Sequence, residues 1–191
     1  MPSSADGFDA ALERAAVAVL DAAGRLGSAS PPIVLIDGRS GAGKSTLASL
    51  LHDRWRGEVQ LVALDDIYPG WDGLAAGAET LTSAILDPLA KGRVAQWQRW
   101  DWAADAPGAP MTARPDLPLI VEGCGAITAA SAARAQIRVW LESPHDARQA
   151  RALARDGETY RPHWQRWAAQ EARHLADDDP TAHATIVVDV P

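Results

Sequence analysis

IDGRSGAGKST, residues 36–46, carries Gly38, Gly43, Lys44 and Ser45 at the spacing G-x-x-x-x-G-K-[ST]. Each residue type has a physical reason to be there. Glycines at 38, 41 and 43 let the backbone turn tightly and aim its N–H groups inward. A helix beginning near Lys44 adds its positive N-terminal end. Lys44 has the reach to touch the β- and γ-phosphates of a nucleotide, and the Ser45 hydroxyl suits Mg²⁺. Thr46 packs or caps. The stretch Gly38, Arg39, Ser40, Gly41, Ala42, Gly43, Lys44, Ser45, Thr46 is therefore the predicted nucleotide-binding loop. The phosphate held there has three fates. It passes to water, as in a switch or motor; it passes to a small acceptor, as in a kinase; or it is held without chemistry.

Working outward, PPIVLIDG places a short apolar run, Ile33 to Ile36, between prolines and a glycine, which reads as a buried parallel strand. KSTLASLLHDRW, residues 44–55, reads as the following helix. Upstream, Phe8, Leu12, Ala15, Ala16, Leu20 and Ala23 recur at helical spacing, giving a leading amphipathic helix within residues 1–30. Gly24 and Gly27 lie near its end. Downstream, VQLVALDD, LPLIVEGCG, AQIRVWLES and ATIVVDV read as four more strands, the third strand of the chain ending at Glu122. Helices are expected over residues 73–92, 145–156 and 163–176, and VAQWQRWDWAADAPG reads as an extended arm or hairpin. Strands alternating with helices predict an α/β three-layer α/β/α sandwich of the P-loop NTPase type. It has a five-stranded parallel sheet and an arginine-bearing helical lid over residues 145–165. A chain of 191 residues suits one such domain.

Composition narrows the function. The net charge of −7 argues against a general nucleic-acid-binding surface, which is usually basic. A single cysteine, Cys124, permits no internal disulfide and points to a reducing compartment. No stretch approaches the roughly 20 apolar residues that span a bilayer, and the N-terminus lacks a signal-peptide layout. The expectation is a cytoplasmic protein without nucleic-acid or membrane partners, its oligomeric state left open.

In open α/β sheets ligands gather at the carboxyl ends of the strands. Asp65 and Asp66 end the second strand and Glu122 the third, so three carboxylates should converge on the phosphate loop. One could accept a proton from an attacking hydroxyl, while Asp66 or Glu122 could help hold Mg²⁺ through water.

GRSGAGKST, ALDDIYPG, RWDWAA, LIVEGCGA and RALARD together resemble, in order and spacing, the uridine kinase and phosphoribulokinase group of P-loop kinases over residues 32–189. The D-D-I-Y after the second strand is similar to that group's D-x-F-Y, W-D-W to its Y-D-F, and V-E-G to its strand-end E-G. The resemblance implies that Asp65 is the base for the acceptor hydroxyl, that Tyr68 forms part of the substrate pocket, and that Asp101, beside Trp100, holds sugar hydroxyls. A carboxylate suits vicinal hydroxyls because it accepts two hydrogen bonds. The resemblance weakens at the lid, where RDGETYRPHW offers one arginine after its R-D, Arg161, in place of the group's arginine-glycine-arginine element.

Arg148, Arg151 and Arg155 recur at spacings of three and four and share one helical face. Such a face could neutralise a transferring phosphoryl group and exclude water. Arg155, which sits in the group's R-D, and Arg151 are the catalytic candidates, with Arg148 a candidate flank for adenine. Of eight tryptophans, Trp55, Trp140, Trp164 and Trp167 are expected in the core, and Trp71, Trp97, Trp100 and Trp102 around the acceptor site. The five histidines show no metal-ligand spacing with Cys124. The sequence thus predicts an ATP- and Mg²⁺-dependent kinase acting on a small hydroxylated molecule, with a nucleoside or nucleoside-like compound the leading acceptor. A nucleotide switch or regulatory protein is the alternative; no N-K-x-D guanine motif is present.

Overall fold

The computed structural model describes residues 4–27 and 30–191, so residues 1–3 and 28–29 of the predicted leading segment lie outside it. Five parallel strands form the central sheet in the order β2 (Gln60–Ala63), β5 (Leu119–Glu122), β1 (Ile33–Gly38), β6 (Ile137–Glu142), β7 (Ile186–Asp189). All five predicted strands are present. β1 lies in the middle, paired with β5 on one side and β6 on the other. It is the first strand in sequence yet central in space, so the chain leaves it in opposite directions and opens a crevice at its carboxyl end.

Strand alternation decides which layer each residue faces. Val34 and Ile36 of β1, with Val139 and Leu141 of β6, pack beneath α1 (Ser4–Arg25) and α2 (Lys44–Arg54) against Leu12, Ala16, Leu47 and Leu51. Leu35, Leu119 and Val121 face the opposite layer, where Leu81, Ile85 and Leu86 meet them. That layer contains α3 (Leu74–Thr80), a π-helical turn (Leu81–Leu86), α4 (Asp87–Ala90) and α5 (Ala129–Ala132). It also holds α7 (Trp164–Asp178), and the short α8 (Pro180–His183) follows α7. Each fully buried aliphatic side chain contributes about 1.5–3 kcal/mol relative to exposure, so the two apolar interfaces carry the sandwich.

Residues 73–92, read as one helix, are broken by the π-helical turn before Pro88, which cannot donate to a preceding carbonyl. Residues 94–108 open a hairpin, as expected, but its second strand runs further: β3 (Ala95–Asp101) pairs antiparallel with β4 (Ala106–Ala113). The basic helix, α6 (His145–Tyr160), is interrupted at Gly157, whose φ of 56° and ψ of −136° lie outside helical space. No helix among the described residues is long and apolar enough to cross a membrane.

At the end of β1 stands Asp37, fully buried. Its carboxylate accepts N–H groups from Gly38 at 2.7 Å, Gly125 at 3.1 Å and Ile127 at 2.8 Å. His174 of α7 adds its Nε2 at 3.0 Å, while its Nδ1 faces Asp178 at 2.9 Å. With a carboxylate at each ring nitrogen, both must donate, so the ring is imidazolium. Burial opposes that charge, but Asp37 and then Asp178 overcome it and raise the pKa from 6.5 to about 9. A group with a raised folded-state pKa stabilises fully below its unfolded value and loses that contribution as pH climbs through its folded value. Stability should therefore hold up to about pH 6.5 and decline through about pH 9. Urea unfolding midpoints across this range should show that decline. His174→Gln should lower stability at neutral pH by about 3 kcal/mol and abolish the slope; a variant that kept the slope would assign it to other groups.

Candidate active site

Register brings three strand ends level. Glu122 pairs with Ile36 on one side and Ala63 on the other. Gly38 lies two residues beyond Ile36, and Asp65 two beyond Ala63, so both emerge at the same edge as Glu122. The loop between β1 and α2 wraps this edge, and Gly43 caps α2 in the left-handed region at φ 103°. Lys44 is buried and donates from Nζ to the carbonyls of Gly38 at 2.8 Å and Arg39 at 3.2 Å, and to the Cys124 thiol at 3.3 Å. Burial pushes against its charge, but Cys124, Glu122, Glu171 and Asp37 together hold its pKa above the ordinary lysine value. Ser45 donates its hydroxyl to Glu122 at 3.0 Å.

A cavity of about 260 Å³ opens here, lined by the loop, Asp65, Glu122, Arg151 and Arg155. Beside it lies a second, of about 700 Å³, walled by Tyr68, Trp71, Trp102, Tyr160 and Trp167. Four residues, Ser40, Ser45, Asp65 and Arg155, line both. Asp65 is reachable by solvent through the cleft but hemmed in by protein elsewhere. That loss of water raises its pKa against the pull of Lys44 and Arg155. Glu122 is raised for the same first reason, with Lys44 opposing and Asp65 adding to the rise.

The aromatic wall is assembled from separate elements. Trp71 stacks on His163 at 4.2 Å between ring centroids and on Tyr160 at 5.5 Å, and tilts against Trp102 of the hairpin at 5.0 Å. Tyr68 meets Trp167 edge-on at 4.9 Å. The polar tips of three rings are engaged internally: Tyr68 donates to the Cys124 carbonyl, Trp102 to the Asp65 carbonyl, and Tyr160 shares a hydrogen bond with the Ser40 hydroxyl.

Helices α6 and α7 grip the phosphate loop directly. Arg148, fully buried, donates to the carbonyls of Ser40 at 3.1 Å and Ser143 at 3.1 Å. Arg151 donates to the Gly41 carbonyl at 2.8 Å. Glu171, also buried, accepts the Ser40 N–H at 2.6 Å. The approach is close enough that a Cβ on Gly41, which sits at φ 80°, would overlap the Arg148 backbone carbonyl.

The predicted residues therefore divide. Gly41, Gly43, Ser40, Lys44, Ser45, Thr46, Asp65, Glu122, Arg151 and Arg155 gather round the phosphate cavity, and Tyr68 joins Asp65 in the aromatic one. Gly38 and Arg39 serve through their carbonyls on Lys44, and Ala42 is buried beneath the loop. Arg148 is sealed under the loop and lines neither cavity. Asp66 lies outside the phosphate cavity and pairs with Arg99 at 2.9 Å. Asp101 caps the hairpin turn, accepting from Ala103 and Ala104, and Trp100 lines neither cavity. Trp97 is a core residue, and Trp167, expected in the core, reaches the aromatic cavity as well. Phe8, Cys124, Tyr160 and Glu171 were not anticipated here. A signal existed for α7: Trp167, Glu171 and His174 follow at steps of four and three, a helical face whose acid and histidine could not be left unpaired.

No protein-family model matches the chain, and no curated protein matches it significantly. Among solved structures it is similar to a possible uridine kinase from Bacillus stearothermophilus, with a TM-score of 0.66 and 19% identity. That likeness covers 94% of this chain and 97% of that one. It is also similar to a proposed fructose transport system kinase from Silicibacter sp., with a TM-score of 0.52 and 18% identity over 92% and 98% of the two chains. At these identities the likeness is one of fold: the three-layer sandwich predicted from sequence is the fold of these structures.

The packing at Gly41 yields a direct test. Gly41→Ala should cost at least about 2 kcal/mol in urea unfolding, whereas Gly24→Ala, which meets no neighbour, should cost nothing or stabilise slightly.

Proposed function

We propose that the chain is an ATP-dependent phosphotransferase that moves the γ-phosphate to a hydroxyl of a small molecule, with a nucleoside or nucleoside-like compound as the leading acceptor class. One observation carries this reading: the cavity around the phosphate loop and the larger aromatic cavity meet at Asp65, flanked by Ser40, Ser45 and Arg155. A protein that delivers phosphate to water has no need of a second, aromatic chamber opening onto the same carboxylate.

In this reading the loop N–H groups and charged Lys44 hold the donor phosphates. An acceptor in the aromatic cavity lays its hydroxyl against Asp65. The hydroxyl oxygen forms the new bond to phosphorus, the bond to ADP breaks, and the hydroxyl proton passes to the Asp65 carboxylate. Arg155 lies beside the path and neutralises charge on the moving group, while Asp156 holds its guanidinium through two bonds, at 2.8 and 2.7 Å. Tyr68, Trp71, Trp102 and Trp167 exclude water from the acceptor side. They take the place of Trp100 and Asp101 in the acceptor set.

The donor atoms suit Mg²⁺. Ser45 and Glu122 offer hard oxygens 3.0 Å apart in the phosphate cavity. Among the described residues no group of three or more His, Cys, Asp or Glu side chains could hold a metal unaided. The ion would then take most of its ligands from phosphate and water, as Mg²⁺ commonly does. When bound it supplies charge neutralisation between the phosphates.

The test is ADP release from Mg-ATP across a panel of nucleosides, sugars and vitamin precursors. One compound should raise turnover well above basal, and Asp65→Asn should cut that stimulation by about 100-fold or more. Because the loss of water around it raises Asp65, its base form is lost at a higher pH than in an unperturbed aspartate. The stimulated kcat/KM should thus fall on acidification, earlier than an exposed aspartate would dictate. If no compound stimulates and Asp65→Asn keeps the basal rate, a nucleotide switch becomes the better reading.

A further inference from the structure

The two cavities share Ser40, and the way that residue is held singles out its hydroxyl. Its N–H is taken by the buried Glu171 carboxylate at 2.6 Å, and its carbonyl by the Arg148 guanidinium at 3.1 Å. Both backbone groups are thus anchored to α6 and α7, and the side chain is the part of Ser40 left to turn. Its Oγ accepts the Tyr160 hydroxyl at 2.9 Å. A serine hydroxyl that accepts one hydrogen bond still has its own hydrogen to give. The Cys124 sulfur lies 3.9 Å away and is a weak acceptor. Ser40 also lines the phosphate cavity, and a phosphate oxygen there, being charged, would accept far more strongly.

Tyr160 belongs to the other cavity. Its buried ring lines the aromatic chamber and stacks on Trp71 at 5.5 Å between centroids, while Trp164 meets it edge-on at 5.6 Å. Burial pushes its hydroxyl pKa up, so at neutral pH it keeps the proton it donates. It follows Gly157, where α6 departs from helical geometry at φ 56°. Before that break, Arg148 and Arg151 hold the loop through its carbonyls. Beyond it, Tyr160 reaches the loop through one pair of hydroxyls. A residue so placed can shift against the loop without dragging the two arginines with it.

We propose that Tyr160 is a positioning residue that couples the two cavities through Ser40. A phosphate in the loop accepts from the Ser40 hydroxyl, Ser40 accepts from Tyr160, and the chain of hydrogen bonds fixes the Tyr160–Trp71 face of the acceptor wall once the donor is seated. The protons stay on their oxygens throughout. Each link polarises the next, so the chain holds more firmly than its separate bonds. Coupling between sites is reciprocal, so a ring packed against Trp71 and Tyr160 strengthens the hold on phosphate. The proposal rests on the nucleotide-phosphate reading of the loop and adds the residue that transmits its occupancy.

The probe is the Mg²⁺ complex of the β,γ-imido analogue of ATP, which resists hydrolysis. Its dissociation constant would be measured by calorimetry on the wild type, Tyr160→Phe, Ser40→Ala and the double variant. Tyr160→Phe keeps the ring and its stack and removes one oxygen. It should weaken binding by about 2- to 10-fold, the range of one hydrogen bond, and should have no effect once Ser40 is alanine. A tyrosine that only supports the fold would cost the same in both backgrounds, and that result would overturn the proposal. Trp71 supplies a second readout, taken as the difference in emission between each protein and its Trp71→Phe counterpart. That difference should change when the analogue saturates the wild type and stay constant in Tyr160→Phe; a wild-type signal that ignored the analogue would also count against the coupling. If Tyr160→Phe bound the analogue as tightly as the wild type does, the loop reading would stand while the coupling fell. If the wild type did not bind it, both would fall.

Discussion

The structure depends on one buried carboxylate. Asp37 takes three backbone N–H groups and the His174 imidazolium, and these partners come from three parts of the chain. Gly38 begins the phosphate loop, Gly125 and Ile127 follow β5, and His174 rides on α7. A charge at full burial is tolerable only when its oxygens are this thoroughly satisfied. The requirement runs both ways: the loop, the β5 exit and α7 must all be in register for Asp37 to be paid for. Because Glu122 and Cys124 sit on the β5 exit and Glu171 on α7, the groups surrounding Lys44 are placed by the same knot.

Much of this was legible in the sequence. Alternating strands and helices, a glycine-rich turn between Ile36 and Lys44, and carboxylates at Asp65 and Glu122 predicted the sheet, the loop and the convergence at its edge. These are local signals, in which each residue's type and its near neighbours carry the information. What was not legible depended on long-range pairing. Arg148, Arg151 and Arg155 look equivalent as a periodic set, yet one is sealed beneath the loop, one is spent on carbonyls and only Arg155 lines both cavities. Their fates differ because Ser40 and Gly41 lie against the first two, more than a hundred positions away in the chain. Asp66 and Asp65 are adjacent and of one type, and only the turn after β2 separates a cavity carboxylate from an ion pair with Arg99. Phe8 was read correctly as part of a helical stripe; that this end of the stripe emerges at the cavity is set by where the beginning of α1 lies against Gly43 at the start of α2.

The charges around the two cavities are graded. All three groups hold a proton more readily than usual, Lys44 because its neighbours outweigh burial, Asp65 and Glu122 because burial outweighs the pull of Lys44. The causes differ: exclusion of water from this narrow edge opposes the Lys44 charge, which its neighbours restore, and the same exclusion is what raises the two carboxylates. The aromatic wall extends the same exclusion outward. Trp71 touches the hairpin through Trp102 and the end of α6 and the turn after it through Tyr160 and His163, so the wall is continuous only while those elements stay together. Gly157 breaks α6 between Arg155 and Tyr160. The cationic and aromatic parts of α6 are thus carried on segments whose axes are not one rigid rod.

Cys124 gives this arrangement an internal reporter. It is the chain's single thiol, it lies beneath Lys44, and burial pushes its pKa up to about 12. It is therefore a poor nucleophile, and it meets the cavity at the glycine-rich loop with only 5% of its surface exposed. Alkylation of so covered a thiol depends on local opening, so at neutral pH the rate at which a maleimide attaches becomes a clock for that event. A ligand that tightens the loop would slow the clock without touching sulfur. The same burial that makes the residue slow to react would let the protein's own fluctuations be timed at the mouth of the glycine-rich loop.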